Sequence, residues 1–326
     1  MRTSTVLICT FALITLGLLR RGTPEDAGKP RLGGVSGPSD EGEKPTSSSE
    51  SKWRVSSEEL AELCRRNPDV PHGTIHTETF VCQTTGITKR CCIYTPPGYE
   101  RTKKKHPVLY LLHGIGDDEI GWKVKGDADN ILDNSLAKGR MKPMIVVMPN
   151  GFLSGESASE RIEGGGVPWK EMPDARKFDA YLIKDVMRIV EEKYRIKADR
   201  EHRAIAGLSM GGGQSLEIGL HNLDLFSSIG NFSGAVHRTN MIEKYPVLKN
   251  PKLLNRRLKV FYHACGRTDF LFKPNKQLVD NLAAAGIRHI FREMEGGHIW
   301  PVWKQCLAEI LPLLSEAMAE EEPPKN

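Results

Sequence analysis

The 326-residue sequence is missing the marks of several function classes. Its seven cysteines form no C-x-x-C pair, and no cysteine–histidine spacing suits zinc, so neither dithiol redox chemistry nor a metal centre is expected. No stretch alternates aromatic and basic residues, so no nucleic-acid partner is expected. No internal repeat is present. No apolar run reaches the ~20 residues of a membrane-spanning helix. Acidic charge is not in excess, because 46 Lys and Arg face 41 Asp and Glu, for a net charge of +5. The basic residues are scattered apart from the run Arg101 to Lys105, which reads as a solvated loop between strands. A weak attraction for acidic polysaccharide fits this charge but is not required by it. What remains is the composition of an enzyme, 39% hydrophobic and 27% charged, with length for one large α/β domain or two small ones.

The ends differ from the middle. Arg2 precedes the apolar run Val6 to Leu19, the pattern of a secretory signal. Arg20 and Arg21 follow directly and no small-x-small cleavage site is clear, so residues 1–21 read as a signal peptide or as an uncleaved membrane anchor. Either places the protein outside the cytoplasm, secreted or periplasmic, or tethered to a membrane. Residues 22–52 are rich in Gly, Pro, Ser, Glu and Lys and read as a disordered linker. Residues 53–320 read as the folded domain and 321–326 as a disordered tail. Cys91 and Cys92 are adjacent on a strand, so their side chains point to opposite faces; the cysteines of the domain read as core residues.

Within the domain, strand and helix patterns alternate. Thr74 to Cys82 and Thr88 to Tyr94, separated by Thr84-Thr85-Gly86, predict an antiparallel hairpin at a sheet edge. Val108 to Leu112, Met144 to Met148, Ala204 to Ala206 and Leu258 to Ala264 are continuously apolar, as strands buried on both faces are. Helical patterns cover Ala128 to Lys138, Phe178 to Tyr194, Gly212 to Asn222, Pro274 to Ala285 and Val302 to Ala319. The class is α/β, a mostly parallel central sheet flanked by helices with an antiparallel N-terminal edge hairpin. The irregular stretch 150–176 follows the strand Met144 to Met148 and reads equally as a substrate-side lid or as plain decoration.

The chemistry concentrates at Gly207-Leu208-Ser209-Met210-Gly211. A buried strand precedes it and a helix follows, the context of a G-x-S-x-G nucleophile elbow. The turn that presents Ser209 leaves no room for side chains two residues before or after it. The helix start beneath supplies free N–H groups and a positive dipole end. A serine nucleophile needs a base, and the base needs a carboxylate. In such a fold the chain order is Ser, acid, His. His298 follows two glycines in a loop between the strand Arg288 to Met294 and the last helix, and is the expected base. His221, His263 and His289 read as helix-face, core and strand-start residues. Asp269 follows the strand ending at Ala264 and is the expected acid, with Glu293 its nearest rival. Leu112-His113-Gly114-Ile115-Gly116 ends another central strand. There Gly114 permits a turn that would bring the Ile115 N–H beside that of Met210 as an oxyanion hole, with His113 as structural support. Trp122 reads as a wall of the site or as packing beneath this loop, and Trp300 as an aromatic contact for substrate or as core.

These residues carry a family resemblance. Val70-Pro71-His72-Gly73, Tyr94-Thr95-Pro96-Pro97-Gly98-Tyr99, Leu109 to Gly114, Asp199 to Arg203 leading into the elbow, Cys265-Gly266 before Asp269, and Gly296-Gly297-His298 together resemble the feruloyl esterase modules attached to bacterial xylanases. Those modules belong to the esterase family that includes carbohydrate esterase family 1. The resemblance spans roughly residues 70–316. It implies an α/β-hydrolase fold, a triad at Ser209, Asp269 and His298, and no metal or organic cofactor. It further implies a serine esterase releasing hydroxycinnamic acids from xylan-type plant cell-wall polysaccharide. Acetyl xylan or other small-acyl esterase activity, acyl transfer, and non-catalytic carbohydrate binding on the same fold are the alternatives.

Overall fold

Every residue of strand β3 (Val108–Leu112) is buried, because its side chains feed two cores on opposite faces of one sheet. Val108, Tyr110 and Leu112 enter one core, while Leu109 and Leu111 enter the other. The computed structural model describes residues 52–153, 175–236 and 244–319. Around β3 these residues arrange β1 (Thr74–Val81), β2 (Thr88–Thr95), β4 (Ile145–Pro149), β5 (Arg203–Leu208), β6 (Ser228–Phe232), β7 (Val260–Gly266) and β8 (Ile290–Met294). The spatial order is 1-2-4-3-5-6-7-8. β2 runs antiparallel to both β1 and β4, and all other neighbours are parallel. The expected edge hairpin and parallel centre are both present. The expected leader, linker and tail, and most of the stretch 150–176, lie outside the described residues.

Helices α1 (Ser57–Cys64), α2 (Gly121–Val124), α3 (Ala128–Ala137), α4 (Ala175–Tyr181), α5 (Arg188–Lys193), α6 (Met210–His221), α7 (Pro251–Arg257), α8 (Phe272–Ala284) and α9 (Trp300–Ala317) connect the strands. α1, α3 and α9 contribute to one core, and α5, α6, α7 and α8 to the other. The expected helix Phe178 to Tyr194 is interrupted by a wider, π-helical turn over Leu182–Met187. That turn carries the buried Asp185, which accepts from Gln83 N–H and Thr84 N–H and so pins the β1–β2 turn. Cys91 and Cys92 enter opposite cores, and Cys64, Cys82, Cys91, Cys92, Cys265 and Cys306 are unbridged.

β6 was not predicted. Ser228-Ile229-Gly230-Asn231-Phe232 has neither an apolar run nor alternation. Pairing with β5 and β7 on both edges supplies what its local preference lacks. Gly230 is required there, since a Cβ would stand 2.6 Å from Ile310 Cδ1 and 2.7 Å from Ala206 Cβ. The α7 helix was also missed.

The Val70-Pro71-His72-Gly73 segment is held by a buried carboxylate on α3. Asp133 accepts from His72 Nδ1 at 2.9 Å, Gly73 N–H at 2.9 Å and Tyr94 Oη at 2.6 Å. Removing it strands three donors beside the core. Asp133→Ala should therefore lower the unfolding free energy by about 3 kcal/mol in urea titration; an unchanged midpoint would remove this anchor from the account.

Two buried histidines, His113 and His263, contribute to a pH dependence, as does His106, which burial also pushes down. Burial pushes the pKa of His113 down, and that of His263, aided by neighbouring His289, down to about 3. In the unfolded chain both titrate near 6.5. Below that pH the unfolded state takes up protons that the folded state refuses. Their stabilising contribution is complete above pH ~6.5 and is lost as pH falls toward the folded values. Unfolding free energy should thus fall between pH ~6.5 and ~5, by up to about 1.4 kcal/mol per pH unit from His263, with His113 acting in the same direction. A flat profile over that interval would contradict the buried, neutral state of these rings.

Candidate active site

Ser209 sits between the end of β5 and the start of α6 with φ 51° and ψ −114°. A non-glycine residue in that region costs about 1–3 kcal/mol and persists only where its surroundings impose it. Here they do. Ser209 N–H donates to Phe232 O at 2.9 Å, and Ser209 O accepts from Ala235 N–H at 2.8 Å and Gly213 N–H at 3.1 Å. The flanking glycines are spatial necessities. A Cβ on Gly207 would lie 2.6 Å from the Gly211 backbone, and one on Gly211 would lie 2.5 Å from His113 O.

The predicted partners meet at this turn. His298 Nε2 lies 2.9 Å from Ser209 Oγ, and His298 Nδ1 lies 2.8 Å from Asp269 Oδ2. Ser209 and Asp269 are buried, and the His298 side chain is 19% exposed, enough to be reached from solvent. Asp269 also accepts from Leu271 N–H at 2.8 Å. Burial pushes its carboxyl up, but hydrogen bonds from His298 and the Leu271 N–H outweigh burial and hold it below the usual carboxylate range. An ionised Asp269 places the imidazole proton on Nδ1 and leaves Nε2 free to accept from Ser209. The acid and base loops are fastened together. Arg267 N–H donates to Met294 O at 2.8 Å and Thr268 N–H to Gly296 O at 3.0 Å. Gly266 lets them touch, since a Cβ there would lie 2.3 Å from Gly296 O.

The turn after β3 runs against the elbow. A Cβ on Gly114 would stand 2.5 Å from Leu208 Cδ1 and 3.3 Å from Ser209 Cβ. Ile115 continues this turn, and Met210 opens α6 directly after Ser209. His113 braces the arrangement: Nδ1–H donates to Gly114 O at 2.8 Å, and Nε2 accepts from Gly151 N–H at 2.7 Å. Gln214, on α6, donates to Gly151 O at 3.1 Å. One imidazole therefore ties the loop after β3 to the loop after β4, and Gln214 fastens the latter to α6.

The remaining expectations divide. Trp122 is not a substrate contact: it is 1% exposed, its indole N–H donates to Leu112 O at 3.1 Å, and its ring meets Phe232 and Trp300 edge-on. It packs beneath the loop. Trp300 is partly buried, edge-on to Trp122 and to Trp303, so its ring also works largely as packing. His221 faces Glu217 on α6, and Glu293 faces Arg267; neither joins the array. His237 lies outside the described residues. Three features escaped the sequence reading. Trp303 and Phe270 flank the His298 ring, at centroid distances of 4.8 and 4.6 Å. A buried amide pair lies below: Asn275 Nδ2 donates to Gly234 O and Leu271 O, and Asn231 Nδ2 donates to Asn275 Oδ1 and faces His263 Nδ1. Of these, only the place of Phe270 next to Asp269 gave any signal.

The chain is similar to several known proteins. An endo-1,4-beta-xylanase/feruloyl esterase of Xylanibacter ruminicola is 33% identical over 247 residues, which cover 74% of this chain and 31% of that protein. The chain thus spans less than a third of that relative's length. An acetyl esterase of Caldicellulosiruptor saccharolyticus is 26% identical over 239 residues, covering 64% of this chain and 83% of its own. Among solved structures, a ferulic acid esterase from the anaerobic fungus Anaeromyces mucronatus aligns with a TM-score of 0.64 at 25% identity, covering 77% of this chain and 94% of its own. Residues 83–314 match the family model described as "Putative esterase", and with its eight-stranded sheet and strained serine turn the chain belongs to that α/β-hydrolase esterase family.

Proposed function

We propose that this protein is a serine carboxylic-ester hydrolase that releases hydroxycinnamic acids, ferulate foremost, from xylan-type polysaccharide. The observation that carries the reading is the Ser209–His298–Asp269 hydrogen-bonded array at a strained strand-to-helix elbow. The names of the xylanase/feruloyl esterase and ferulic acid esterase relatives support the acyl group.

In this reading His298 Nε2 takes the proton of Ser209 Oγ as the oxygen attacks the ester carbonyl. Asp269 orients the imidazole and stabilises its charged form. The Ile115 and Met210 N–H groups receive the oxyanion, at the positive end of α6. His298 then protonates the departing alcohol, and later activates the water that hydrolyses the acyl-enzyme. A second reading, with a small acyl group such as acetyl as the substrate, is favoured by the acetyl esterase relative, most of whose length this chain spans. The Arg2 to Leu19 pattern supports a secreted or periplasmic protein, or one anchored to a membrane by an uncleaved segment 1–21.

Ser209→Ala should cut ferulate release from feruloylated arabinoxylan and from methyl ferulate by on the order of 10⁴-fold or more, with the fold intact by circular dichroism. Asp269→Asn should cost about 10⁴-fold in kcat through the wrong imidazole tautomer. Acetate release from acetylated xylan without ferulate release would move the substrate to small acyl groups. Full activity of Ser209→Ala would refute the nucleophile.

A further inference from the structure

Large apolar side chains are seldom exposed among the described residues, and two of those that are, Phe270 at 66% and Ile299 at 48%, adjoin Asp269 and His298 in the chain. Phe270 is the one aromatic residue among the exposed large apolar side chains of the described residues. Its direction is fixed. Asp269 accepts from Leu271 N–H through its side chain and from Phe272 N–H through its carbonyl, so Phe270 stands at the tip of a tight, pinned turn. The ring lies against the imidazole of His298, centroids 4.6 Å apart and planes inclined by 50°. The opposite contact of that imidazole, Trp303, is only 6% exposed and meets it edge-on. His298 is thus backed by one aromatic ring in the core and bordered by another at the surface.

The reaction assigns the two halves of the substrate to different sides. As the Ser209 Oγ–acyl carbon bond forms and the acyl carbon–alcohol oxygen bond breaks, the proton leaves Oγ for His298 Nε2 and passes to the alcohol oxygen; water later replaces the serine. The alcohol oxygen must therefore lie next to His298, while the acyl carbonyl oxygen points to the Gly114 turn and the start of α6. A side chain that projects from the imidazole into solvent meets the alcohol half. Phe270 carries no polar group, so what it offers is a flat apolar face, the surface on which the C–H face of a sugar ring rests. Resting on the esterase reading above, we propose that Phe270 is a specificity-determining residue that binds the sugar of the ester, and not its acid, against the rim of His298.

The test holds the acyl group constant and changes the alcohol. kcat and KM are measured for methyl ferulate and for a feruloyl ester of a pentose, with wild-type protein and with Phe270→Ala, Phe270→Leu and Phe270→Tyr. The ratio of kcat/KM, sugar ester over methyl ester, should fall about tenfold in the Ala and Leu variants, chiefly through KM for the sugar ester, and recover in the Tyr variant. An equal loss on both esters, a ratio within twofold of wild type in Phe270→Ala, or full recovery by Leu would overturn the proposal. A parallel pair of acetyl esters, methyl and pentose, reads the same ratio if ferulate is not the physiological acid. Wild-type protein that turns over none of these esters would refute the esterase reading itself, and the sugar contact with it.

Discussion

The backbone at Ser209 is held in a left-handed conformation by neighbours that leave it no free volume. Gly207 and Gly211 touch across the turn, the Leu112 and His113 carbonyls press on Gly211, and the end of β6 closes the third side through Phe232 O. Three adjacent parallel strands, β3, β5 and β6, must therefore end in register for the serine to be raised above the sheet. The same tightness places Gly114 against Ser209 Cβ, so the loop that faces the nucleophile is positioned by contact with it. The strained φ of Ser209 is thus held by a junction of backbone segments with almost no side chains between them.

Below this junction the polar groups orient one another in sequence. Because Asn275 Nδ2 is committed to the Gly234 and Leu271 carbonyls, its oxygen must face Asn231. Asn231 must then present its amide hydrogens to Asn275 and to His263 Nδ1, which fixes the His263 proton on Nε2. The chain of bonds joins the acid loop at Leu271 to the Gly234–Ala235 segment that donates to Ser209 O. Nucleophile and acid, distant in sequence, are thereby referred to one internal frame. His113 does the same at the opposite side of the elbow, joining Gly114 to Gly151.

Much of this was legible from residues because it follows from local necessity. Glycines two before and two after a serine, between a strand and a helix, describe a turn with one geometry. Val108 to Leu112 and Met144 to Met148 can hardly be anything but strands buried on both sides. The chain order of serine, acid and histidine then leaves few partners, and those chosen are the ones that meet. What could not be read depends on neighbours far along the chain. Ser228 to Phe232 becomes a strand only because two others pair with it. Trp122 looked as suited to a pocket wall as to packing until the Leu112 carbonyl and the Phe232 and Trp300 rings claimed it. The exposure of Phe270 and the amide pair Asn231–Asn275 have no local signature at all.

The first described segment of the domain packs on its last helix. Gln305, on α9, donates to Val55 O at 3.2 Å; the next turn carries Glu309, which is buried and holds Arg292 of β8 through both carboxylate oxygens. Trp53 stacks over the same arginine and meets Tyr262 of β7 edge-on. The folded body is thus entered and left beside a single helix, with residues 250 and 254 positions apart in contact across it. A domain with that geometry behaves as a cartridge. Ends brought together on one patch leave the carboxyl ends of the sheet strands, where Ser209, His298 and Asp269 meet, unobstructed.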